Sequence, residues 1–396
     1  MIYRFFFRLL ARLDVERKHF PIEIDAEQAH HLGVRALSFV GQFTWVSGVM
    51  RRLLRPNDPR LEVHALGLTF ANPLGVAAGL DKYVECFDPL GDIGFGHVEV
   101  GTVTARGQKG NEGRRLGRLI EDRALHNRMG FPNPGAVIAA ERLGARAGHT
   151  VIGANIGKTM DVELADAAED YATAVRLLAP VCDYIVLNVS SPNTPGLRSM
   201  QAVDELRELI EVVRAMLRET SHERPLLVKI GPDLANGEID AIADLAVEMG
   251  LEGIVAVNTT VDTSVLQHAP EGKLAQNLGG ISGAPLKHRA LEVLQLIRDR
   301  VGDELVLISV GGIEDVDDAW ERIAAGATLL QAHTGFVYGG PLWPRRVNRQ
   351  LARRVAESGY ASIQDVIGIG ATAARADASA KPLAAASRAG HSTRVA

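Results

Sequence analysis

The strongest constraint on the fold is an alternation of short β-rich segments and helical segments between residues 74 and 335. Several of the β-rich segments are continuously apolar, as expected for parallel strands that are covered on both faces. These segments are residues 74–78, 98–101, 151–156, 184–189, 226–230, 253–259, 305–310 and 328–332. The alternation predicts an α/β fold, a closed (β/α)8 TIM barrel. A doubly wound sheet is the alternative, but the chain lacks the GxGxxG strand–turn–helix fingerprint of that fold.

Two insertions interrupt the alternation, and both ends of the chain lie outside it. The insertions are residues 114–134 and a glycine-rich stretch at 271–282. The N-terminal segment is expected to form a helical extension, in which Asp25 and Gln28 have capping-box spacing. The C-terminal segment is Ala/Ser-rich with almost no large apolar residues, which is typical of disorder. The predicted domains are a helical extension at 1–55, a barrel at 56–365 and a tail at 366–396.

The extension is basic, whereas the rest of the chain is acidic. Residues 1–60 hold ten Lys/Arg and six Asp/Glu, although the net charge of the chain is −5. The longest uncharged run of the extension, residues 36–50, has 15 residues, and a spanning helix needs about 20. Two interpretations remain open. The extension is either a helical pair packed on the barrel or a hairpin in the membrane interface with its arginines towards the headgroups.

Composition and charge argue against several function classes. The negative net charge gives no indication of nucleic-acid binding. Cys86 and Cys182 form no CxxC pair, which argues against structural zinc, an iron–sulfur cluster or a disulfide framework. A reducing, cytosolic setting therefore fits best. The predicted strand ends hold neither paired carboxylates nor a His/Asp cluster, so we expect no metal site and no sugar hydrolysis or metal-assisted hydrolysis.

Chemistry in such a barrel is expected at the carboxyl ends of the strands, and asparagines are frequent there. One asparagine alone would be interpreted as tying down a loop, but four lie at or after strand ends and a fifth lies on the first insertion. A carboxamide is both donor and acceptor, so the set suits a ring with alternating C=O and N–H groups, such as a pyrimidine or a flavin. The five are Asn127, Asn155, Asn188, Asn193 and Asn258.

Lysines and glycines at other strand ends indicate anion binding. Lys82 and Lys229 fit either surface ion pairs or, if buried, negative charge on a carboxylate or a reduced flavin. Residues 311–312 (Gly-Gly) and 334–335 (Thr-Gly) match the phosphate grip that follows strands seven and eight of such barrels. Many phosphate-binding barrels carry a similar pattern, so this motif alone is only moderately specific.

Ser191 lies in a loop that two prolines and a glycine make stiff, at residues 188–196. It is either a turn hydroxyl or a proton acceptor, and the second role needs a shielded site and a relay. No Ser-His-Asp set is evident, so an acyl-transfer nucleophile is disfavoured.

Taken together, these segments closely resemble the class 2 dihydroorotate dehydrogenases, which are quinone-dependent and membrane-associated. The resemblance covers about residues 1–350. Its most specific motifs are Ser-Pro-Asn-Thr-Pro-Gly at residues 191–196 and Asn-Arg-Met-Gly-Phe at residues 127–131. Class 1 enzymes have a cysteine in place of Ser191 and lack the extension, so both features favour class 2.

The resemblance implies one FMN per chain at the barrel mouth and names its contacts. Val257 stands where a threonine is frequent and His333 where a tyrosine is frequent, which leaves open whether they contact FMN by backbone or side chain. Ser191 would be the catalytic base. The implied FMN contacts are Ala77, Ala78, Gly79, Leu80, Asp81, Thr102, Asn155, Asn188, Lys229, Val257, Gly283, Gly312, His333 and Thr334. The implied substrate contacts are Lys82, Asn127, Arg128, Met129, Gly130, Phe131, Asn188, Asn193, Asn258 and Thr259.

The implied function is oxidation of dihydroorotate to orotate in pyrimidine biosynthesis, with electrons passing to a membrane quinone that enters between the N-terminal helices. A monomer attached peripherally to the cytoplasmic side of a bacterial inner membrane is expected. Three rivals remain. The first is a cytosolic flavin dehydrogenase using fumarate or NAD, against which the apolar hairpin argues. The others are a Schiff-base lyase using Lys82 or Lys229, and a membrane-surface scaffold that would leave the polar mouth unexplained.

Overall fold

A computed structural model describes residues 25–148, 150–268 and 279–370. The predicted first helix, most of the glycine-rich insertion and all of the predicted tail after residue 370 lie outside the described residues. The helices are α1 (Ala26–Gly41), α2 (Thr44–Leu54), α3 (Phe87–Asp92), α4 (Ala136–Gly144), α5 (Ala167–Leu178), α6 (Val203–Thr220), α7 (Asn236–Glu248), α8 (Lys287–Val301), α9 (Val316–Ala324), α10 (Thr334–Gly339) and α11 (Trp343–Ser358).

The strands include every β-rich segment of the predicted barrel and several short strands outside it. They are β1 (Val63–Ala65), β2 (Leu68–Phe70), β3 (Leu74–Val76), β4 (His97–Val103), β5 (Arg106–Gln108), β6 (Leu116–Leu119), β7 (Ala124–Asn127), β8 (Asn133–Gly135), β9 (Val151–Ile156), β10 (Tyr184–Asn188), β11 (Leu226–Ile230), β12 (Gly253–Ala256), β13 (Gly280–Gly283), β14 (Val306–Val310) and β15 (Leu329–Ala332).

Eight parallel strands close into a barrel in the order β3, β4, β9, β10, β11, β12, β14 and β15, with β15 paired back to β3. This arrangement confirms the predicted (β/α)8 class. Neighbouring strands keep their carboxyl ends in register, so Asn188 at the end of β10 is paired with Lys229 at the end of β11. The fold therefore places the polar residues predicted at strand ends around one opening.

Some strand limits differ from the predicted ones because the chain leaves the ladder early. The sixth segment, predicted to continue to residue 259, ends at Ala256. Beyond it the Asn258 amide still donates to Ile230, and the Thr260 amide turns towards Ile281 outside the barrel. The polar end of this segment is thereby released into the opening instead of continuing as a strand.

The insertions form a small antiparallel sheet instead of irregular loops. Strands β6 and β7 pair with each other, and β7 also pairs with β13, so that Asn127 lies opposite Gly280. Strands β5 and β8 form a separate pair. These strands have three or four residues each, which is too short for a clear period-2 pattern in the sequence. They bring the 114–134 insertion against the barrel opening.

Helices α1 and α2 form a pair beside the opening. The Asp25 carboxylate accepts from the Gln28 amide at 2.7 Å, and the reciprocal side-chain bond completes the expected capping box. Helix α1 packs against β6 and α3, while Trp45, Val49 and Leu53 of α2 are exposed. Among the described helices, none combines the length and apolar character that crossing a bilayer requires.

Candidate active site

A cavity at the carboxyl ends of the barrel strands brings together most of the residues that the sequence singled out. Its wall comes from the barrel, from the insertion sheet and, through His30, from α1. The predicted residues that line it are Ala77, Ala78, Gly79, Lys82, Thr102, Asn127, Met129, Gly130, Phe131, Asn188, Ser191, Asn193, Lys229, Val257, Asn258, Thr259, Gly283, Gly312, His333 and Thr334.

Four predicted site residues do not line this cavity. Asp81 is fully buried, and its carboxylate accepts from the amides of Glu85 and Cys86 at 2.8 and 2.9 Å, so it shapes the loop behind the wall. Leu80 is buried, and Arg128 donates to the Glu112 carbonyl at 3.0 Å. Asn155 lies in a layer beneath the cavity lining. Direct contacts of these four with FMN or substrate remain predictions.

The asparagines form a connected network at the strand ends. Asn155 Oδ1 accepts from Thr102 Oγ1 at 2.5 Å and from Asn188 Nδ2 at 3.0 Å. Asn188 Oδ1 accepts from Ser190 Oγ at 3.1 Å, and Asn258 Nδ2 donates to the same hydroxyl at 3.0 Å. Asn155 thus orients Asn188 from below, which is a positioning role.

A second asparagine pair joins the Ser191 loop to the insertion sheet. Asn193 Nδ2 donates to Asn127 Oδ1 at 3.2 Å, and Asn127 Nδ2 donates to the Gly280 carbonyl at 3.2 Å. Both side chains are partly exposed to the cavity. Two amides held edge to edge in this way can present donors and acceptors to a planar ring.

The cavity rests on a buried charged cluster, here called the floor, made of Glu99, Asn155, Lys229 and Gln331. Glu99 is completely buried, and its carboxylate accepts from Asn155 Nδ2 and from Gln331 Nε2, both at 2.7 Å. Lys229 Nζ lies 3.8 Å from the same carboxylate. Burial lowers the pKa of Lys229, and the attraction of Glu99 opposes this shift. A cation is therefore held inside the barrel by groups that the strands themselves supply.

The sequence reasoning missed Glu99 and Gln331. Both lie inside strands, in β4 and β15, and both are fully buried. A carboxylate within an otherwise apolar strand was the available signal, because a buried charge requires a partner.

A second group, here called the rim, lies where α1 meets the barrel opening and consists of Glu27, His30, Lys82 and Arg115. Lys82 is 8% exposed, and its Nζ lies 3.3 Å from His30 Nε2. Burial lowers the pKa of Lys82 to about 8. Burial, followed by repulsion from Lys82, holds the pKa of His30 well below its usual value. His30 is therefore neutral at pH 7, and its Nε2 can accept a hydrogen bond from the ammonium.

An ion pair fixes the position of α1 on this rim. Arg115 donates from Nη2 to Glu27 at 2.6 Å and from Nε to both carboxylate oxygens at 2.9 and 3.0 Å. Burial opposes ionisation of Glu27, but the hydrogen bonds from Arg115 outweigh it and lower the pKa of the carboxyl. Neither His30 nor Glu27 was identified from the sequence, since both are distant along the chain from the strand ends.

Ser191 lies in the cavity wall at 4% exposure. Its Oγ accepts from the Asn193 amide at 3.3 Å, which fixes the oxygen within the stiff loop. No histidine or carboxylate within the described parts of the chain hydrogen-bonds to this hydroxyl. The arrangement therefore differs from an acyl-transfer triad, in which a histidine would activate the serine.

The opposite end of the cavity suits a phosphate group. Gly311 and Gly312 have φ of 107° and 75°, which favours glycine, and a Cβ on Gly312 would lie 2.5 Å from the Lys287 Cα. The fully buried Arg322 donates to the Gly311 carbonyl at 3.0 Å and holds this loop. Burial lowers the pKa of Arg322 to about 10. Close by, the first turn of α10 leaves amide N–H groups without intrahelical partners.

His333 lies between the floor and the rim and also lines the cavity. Burial, followed by repulsion from Lys82 and Lys229, lowers the pKa of His333 to about 3. The imidazole is therefore neutral and adds no positive charge to that of the two lysines. In the described portion of the chain, no group of three or more His, Cys, Asp or Glu side chains could hold a metal ion.

Comparisons with known proteins agree on one family. The family model described as "Dihydroorotate dehydrogenase" matches residues 60–355. "Dihydroorotate dehydrogenase (quinone)" of Thermobifida fusca (strain YX) is 50% identical over 392 residues, covering 98% of this chain and 100% of that protein. The protein of the same name from Rhodococcus opacus (strain B4) is 52% identical over 345 residues, covering 87% and 96%. The crystal structure of DHODH from Eimeria tenella in complex with ferulenol is similar with a TM-score of 0.78 and 34% identity, covering 89% and 96%.

Proposed function

Because the chain belongs to the dihydroorotate dehydrogenase family, we propose that it oxidises dihydroorotate to orotate, a step of pyrimidine biosynthesis, and passes the electrons to a quinone. One structural observation supports this most strongly. Ser191, Lys82 and the asparagine pair Asn127–Asn193 line one cavity with a phosphate grip at its other end. That cavity has a place for a small anionic ring beside a larger phosphorylated one.

FMN fits the donor set of this cavity, and we propose one FMN per chain. The glycines of the 311–312 turn, the start of α10 and the hydroxyls of Ser282 and Thr334, which lie 2.8 Å apart, suit a phosphate monoester. Thr102, Asn188 and Lys229 suit the polar edge of a flavin ring. The chemistry that FMN supplies when bound is the acceptance of a hydride and the onward transfer of two electrons.

The substrate end is proposed to lie on the side of Lys82 and the asparagines. Lys82 would bind the carboxylate of dihydroorotate, because a buried ammonium gains most from an anionic partner. Asn127, Asn193 and Asn258 would bind the C=O and N–H groups of the ring. Together they would hold carbons 5 and 6 in a fixed position, so that reaction starts from near contact distance.

Ser191 is proposed as the base that takes the proton from carbon 5 of dihydroorotate while its hydroxyl releases its own proton to a relay. A serine hydroxyl is a weak base, so the role depends on exclusion of water, and Ser191 is 4% exposed. The Asn193 amide donates to this oxygen at 3.3 Å and holds it in the wall of the cavity. Lys229 would place a positive charge beside the cofactor ring, where negative charge accumulates during the reaction.

The helical extension is proposed as the site of membrane attachment and quinone access, on the cytoplasmic side of a bacterial inner membrane. Exposed apolar side chains support this: Leu32, Phe39, Phe43, Trp45, Val49 and Leu53. Such a cluster on two short helices suits the interface plane of a bilayer. Helix α1 borders the cavity through His30, so a quinone held between the two helices would approach the cofactor site. A monomer is sufficient for this arrangement.

The function is tested by the spectrum and half-reactions of the purified protein. We expect a yellow protein whose acid-released cofactor is FMN, which dihydroorotate bleaches and a quinone restores. FAD, or a colourless protein, would contradict the cofactor assignment, and the colourless protein would favour a Schiff-base lyase. Bleaching that fumarate or NAD reverses while quinone does not would instead favour a soluble dehydrogenase on the same barrel.

The role of the extension is tested by deleting residues 1–55. The shortened protein should leave the membrane fraction and lose quinone reduction, since the helices beside the cavity are gone. Bleaching by dihydroorotate should persist, because the barrel supplies the floor, Ser191 and Lys82. Unchanged quinone turnover would show that the extension is not the route of electron exit.

A further inference from the structure

A second cavity, of about 350 Å³, lies where α2 ends and faces α11. Five arginines line it, with Asp58 as its single carboxylate; this set is called the arginine pocket. The five are Arg55, Arg60, Arg345, Arg349 and Arg353. It contains none of the residues that line the active-site cavity, so it is a separate feature of the surface.

The protein neutralises only part of the positive charge of the arginine pocket. The Asp58 carboxylate is already paired with Arg60, whose guanidinium donates to it at 2.9 and 2.7 Å. Arg345, Arg349 and Arg353 form no ion pair with any carboxylate of the described segments. They recur at i, i+4 and i+8 on α11, a spacing at which like charges destabilise a helix. An arrangement that repels itself in this way is stabilised by an anion.

An exposed apolar stripe leads directly to the arginine pocket. Trp45, Val49 and Leu53 recur at i, i+4 and i+8 on α2, with exposures of 72%, 51% and 61%. Leu53 belongs to both features, since it ends the stripe and lines the pocket. When the stripe lies among the acyl chains of a bilayer, the arginines therefore lie at the depth of the lipid headgroups.

We propose that the arginine pocket binds the phosphate of an anionic phospholipid headgroup in the membrane to which the extension attaches. The proposal rests on the attachment proposed above and adds a specific lipid class to it. Guanidinium groups suit a phosphate diester because their planar N–H donors match two oxygens at once. The neighbouring stripe favours a lipid as the source of that phosphate, since exposed apolar side chains would contribute nothing to the binding of a free anion.

The test measures binding of the full-length holoenzyme to vesicles of phosphatidylglycerol and of phosphatidylcholine. The pocket variant carries Arg345→Gln, Arg349→Gln and Arg353→Gln, and a milder one carries only the two exposed changes, Arg349→Gln and Arg353→Gln. Wild type should prefer phosphatidylglycerol by roughly tenfold to a hundredfold, from the attraction of several arginines near an anionic surface. The pocket variant should lose most of this preference and keep its binding to phosphatidylcholine.

A matched control removes three arginines from outer helices of the barrel: Arg207→Gln, Arg218→Gln and Arg300→Gln. It has the same net charge as the pocket variant and should keep the wild-type preference. The proposal is overturned if pocket variant and control behave alike, or if wild type binds both vesicles equally. Wild type that binds neither vesicle overturns membrane attachment itself, whereas dihydroorotate oxidation is scored separately in detergent.

Two further measurements keep the result decisive. If the triple variant melts at a lower temperature than wild type, the double variant replaces it, and it should lose a smaller part of the preference. Inorganic phosphate is compared with chloride at equal ionic strength, and it should release no more wild-type protein from phosphatidylglycerol vesicles than chloride does. The proposal is overturned if phosphate releases more protein than chloride and, without vesicles, also raises the melting temperature of wild type but not of the pocket variant. That result would identify a free anion as the ligand.

Discussion

The two lysines of the active-site cavity are held in opposite ways, one by the floor and one by the rim. Lys229 has its counter-charge, Glu99, within the same barrel, 3.8 Å away and completely buried. Lys82 has as its nearest polar partner a neutral imidazole, His30, contributed by the N-terminal extension. The difference indicates that the barrel alone builds the proposed cofactor side, whereas the N-terminal extension also contributes a residue to the proposed substrate side.

The largest effect that separates the two regions is expected from Ser191→Ala. If the proton of dihydroorotate is taken on the substrate side, flavin reduction in stopped flow should slow by about 10²–10⁴, the usual contribution of a positioned base. FMN content should not change, because the floor and phosphate grip are untouched. Ser199→Ala, an exposed serine in the same region, is the control and should reduce at the wild-type rate. Reduction of the Ser191→Ala flavin within a few-fold of wild type would make Ser191 a loop residue only.

Replacing Lys82 should mainly weaken orotate binding, whereas replacing Lys229 should mainly weaken FMN retention. Lys82→Ala should raise the Kd of orotate roughly tenfold to a hundredfold, or about 1.5–3 kcal/mol, with FMN retained. Lys229→Ala leaves Glu99 as an unpaired buried charge, which typically costs about 3–5 kcal/mol of folding stability, and should weaken FMN retention. Orotate titration, urea unfolding and flavin content measure these three quantities. Equal loss of FMN in both variants would abolish the distinction between floor and rim.

The pH dependence of orotate binding should report the rim alone. Burial lowers the pKa of Lys82 to about 8, so the ammonium is present below that pH and is lost above it. Affinity for the orotate carboxylate should therefore be flat below pH 8 and fall above it by at most about tenfold per pH unit. The Lys82→Ala variant is the control, and its affinity should vary little across this range. A wild-type affinity independent of pH up to 10 would mean that Lys82 does not bind the carboxylate.

The same shift has a defined sign in stability. The pKa of Lys82 in the unfolded chain is near 10.5, so between pH 8 and 10.5 the unfolded state binds more protons than the folded one. The contribution of Lys82 to the free energy of unfolding therefore rises with pH through this window. Bound orotate, by restoring the charged form, should reduce that rise.

The smallest expected effect belongs to the ion pair that seats α1. Glu27→Gln removes the charge partner of Arg115 but keeps the shape of the side chain. Partly exposed pairs typically contribute about 0.2–1 kcal/mol, so orotate affinity should fall at most a few-fold. A double-mutant cycle with Arg115→Gln measures the coupling directly. A coupling of zero, with unchanged orotate binding, would mean that α1 is held on the rim by its apolar packing alone.

The sequence predicted the barrel and most of its opening because both follow from local patterns. Apolar runs of strand length gave the eight strands, and the carboxyl ends of those strands gave Lys82, Asn188 and Lys229. Residues inside a strand carry no such positional signal, and Glu99 was therefore missed. Which face of β4 points into the barrel interior is decided by closure of the sheet, a tertiary property.

Apart from Lys82, the residues of the rim were missed for a different reason. His30 lies 52 residues before Lys82, and Glu27 lies 88 residues before Arg115. No periodicity links such positions, because their contact depends on how the extension docks against the insertion sheet. The apolar spacing of α1 and its Asp25 cap predicted a helix there, and only the folded chain shows which residues it turns towards the opening.

The seating of α1 has a consequence in thermodynamic linkage. Glu27 and His30 stand on the helix that is proposed to meet the bilayer, and they touch Arg115 and Lys82 on the side that is proposed to meet the substrate. If bilayer attachment multiplies the affinity for orotate by some factor, orotate must multiply the affinity for the bilayer by that same factor. The concentration of orotate would then set the membrane-bound fraction of the enzyme, and membrane attachment would in turn set the fraction of enzyme that holds orotate.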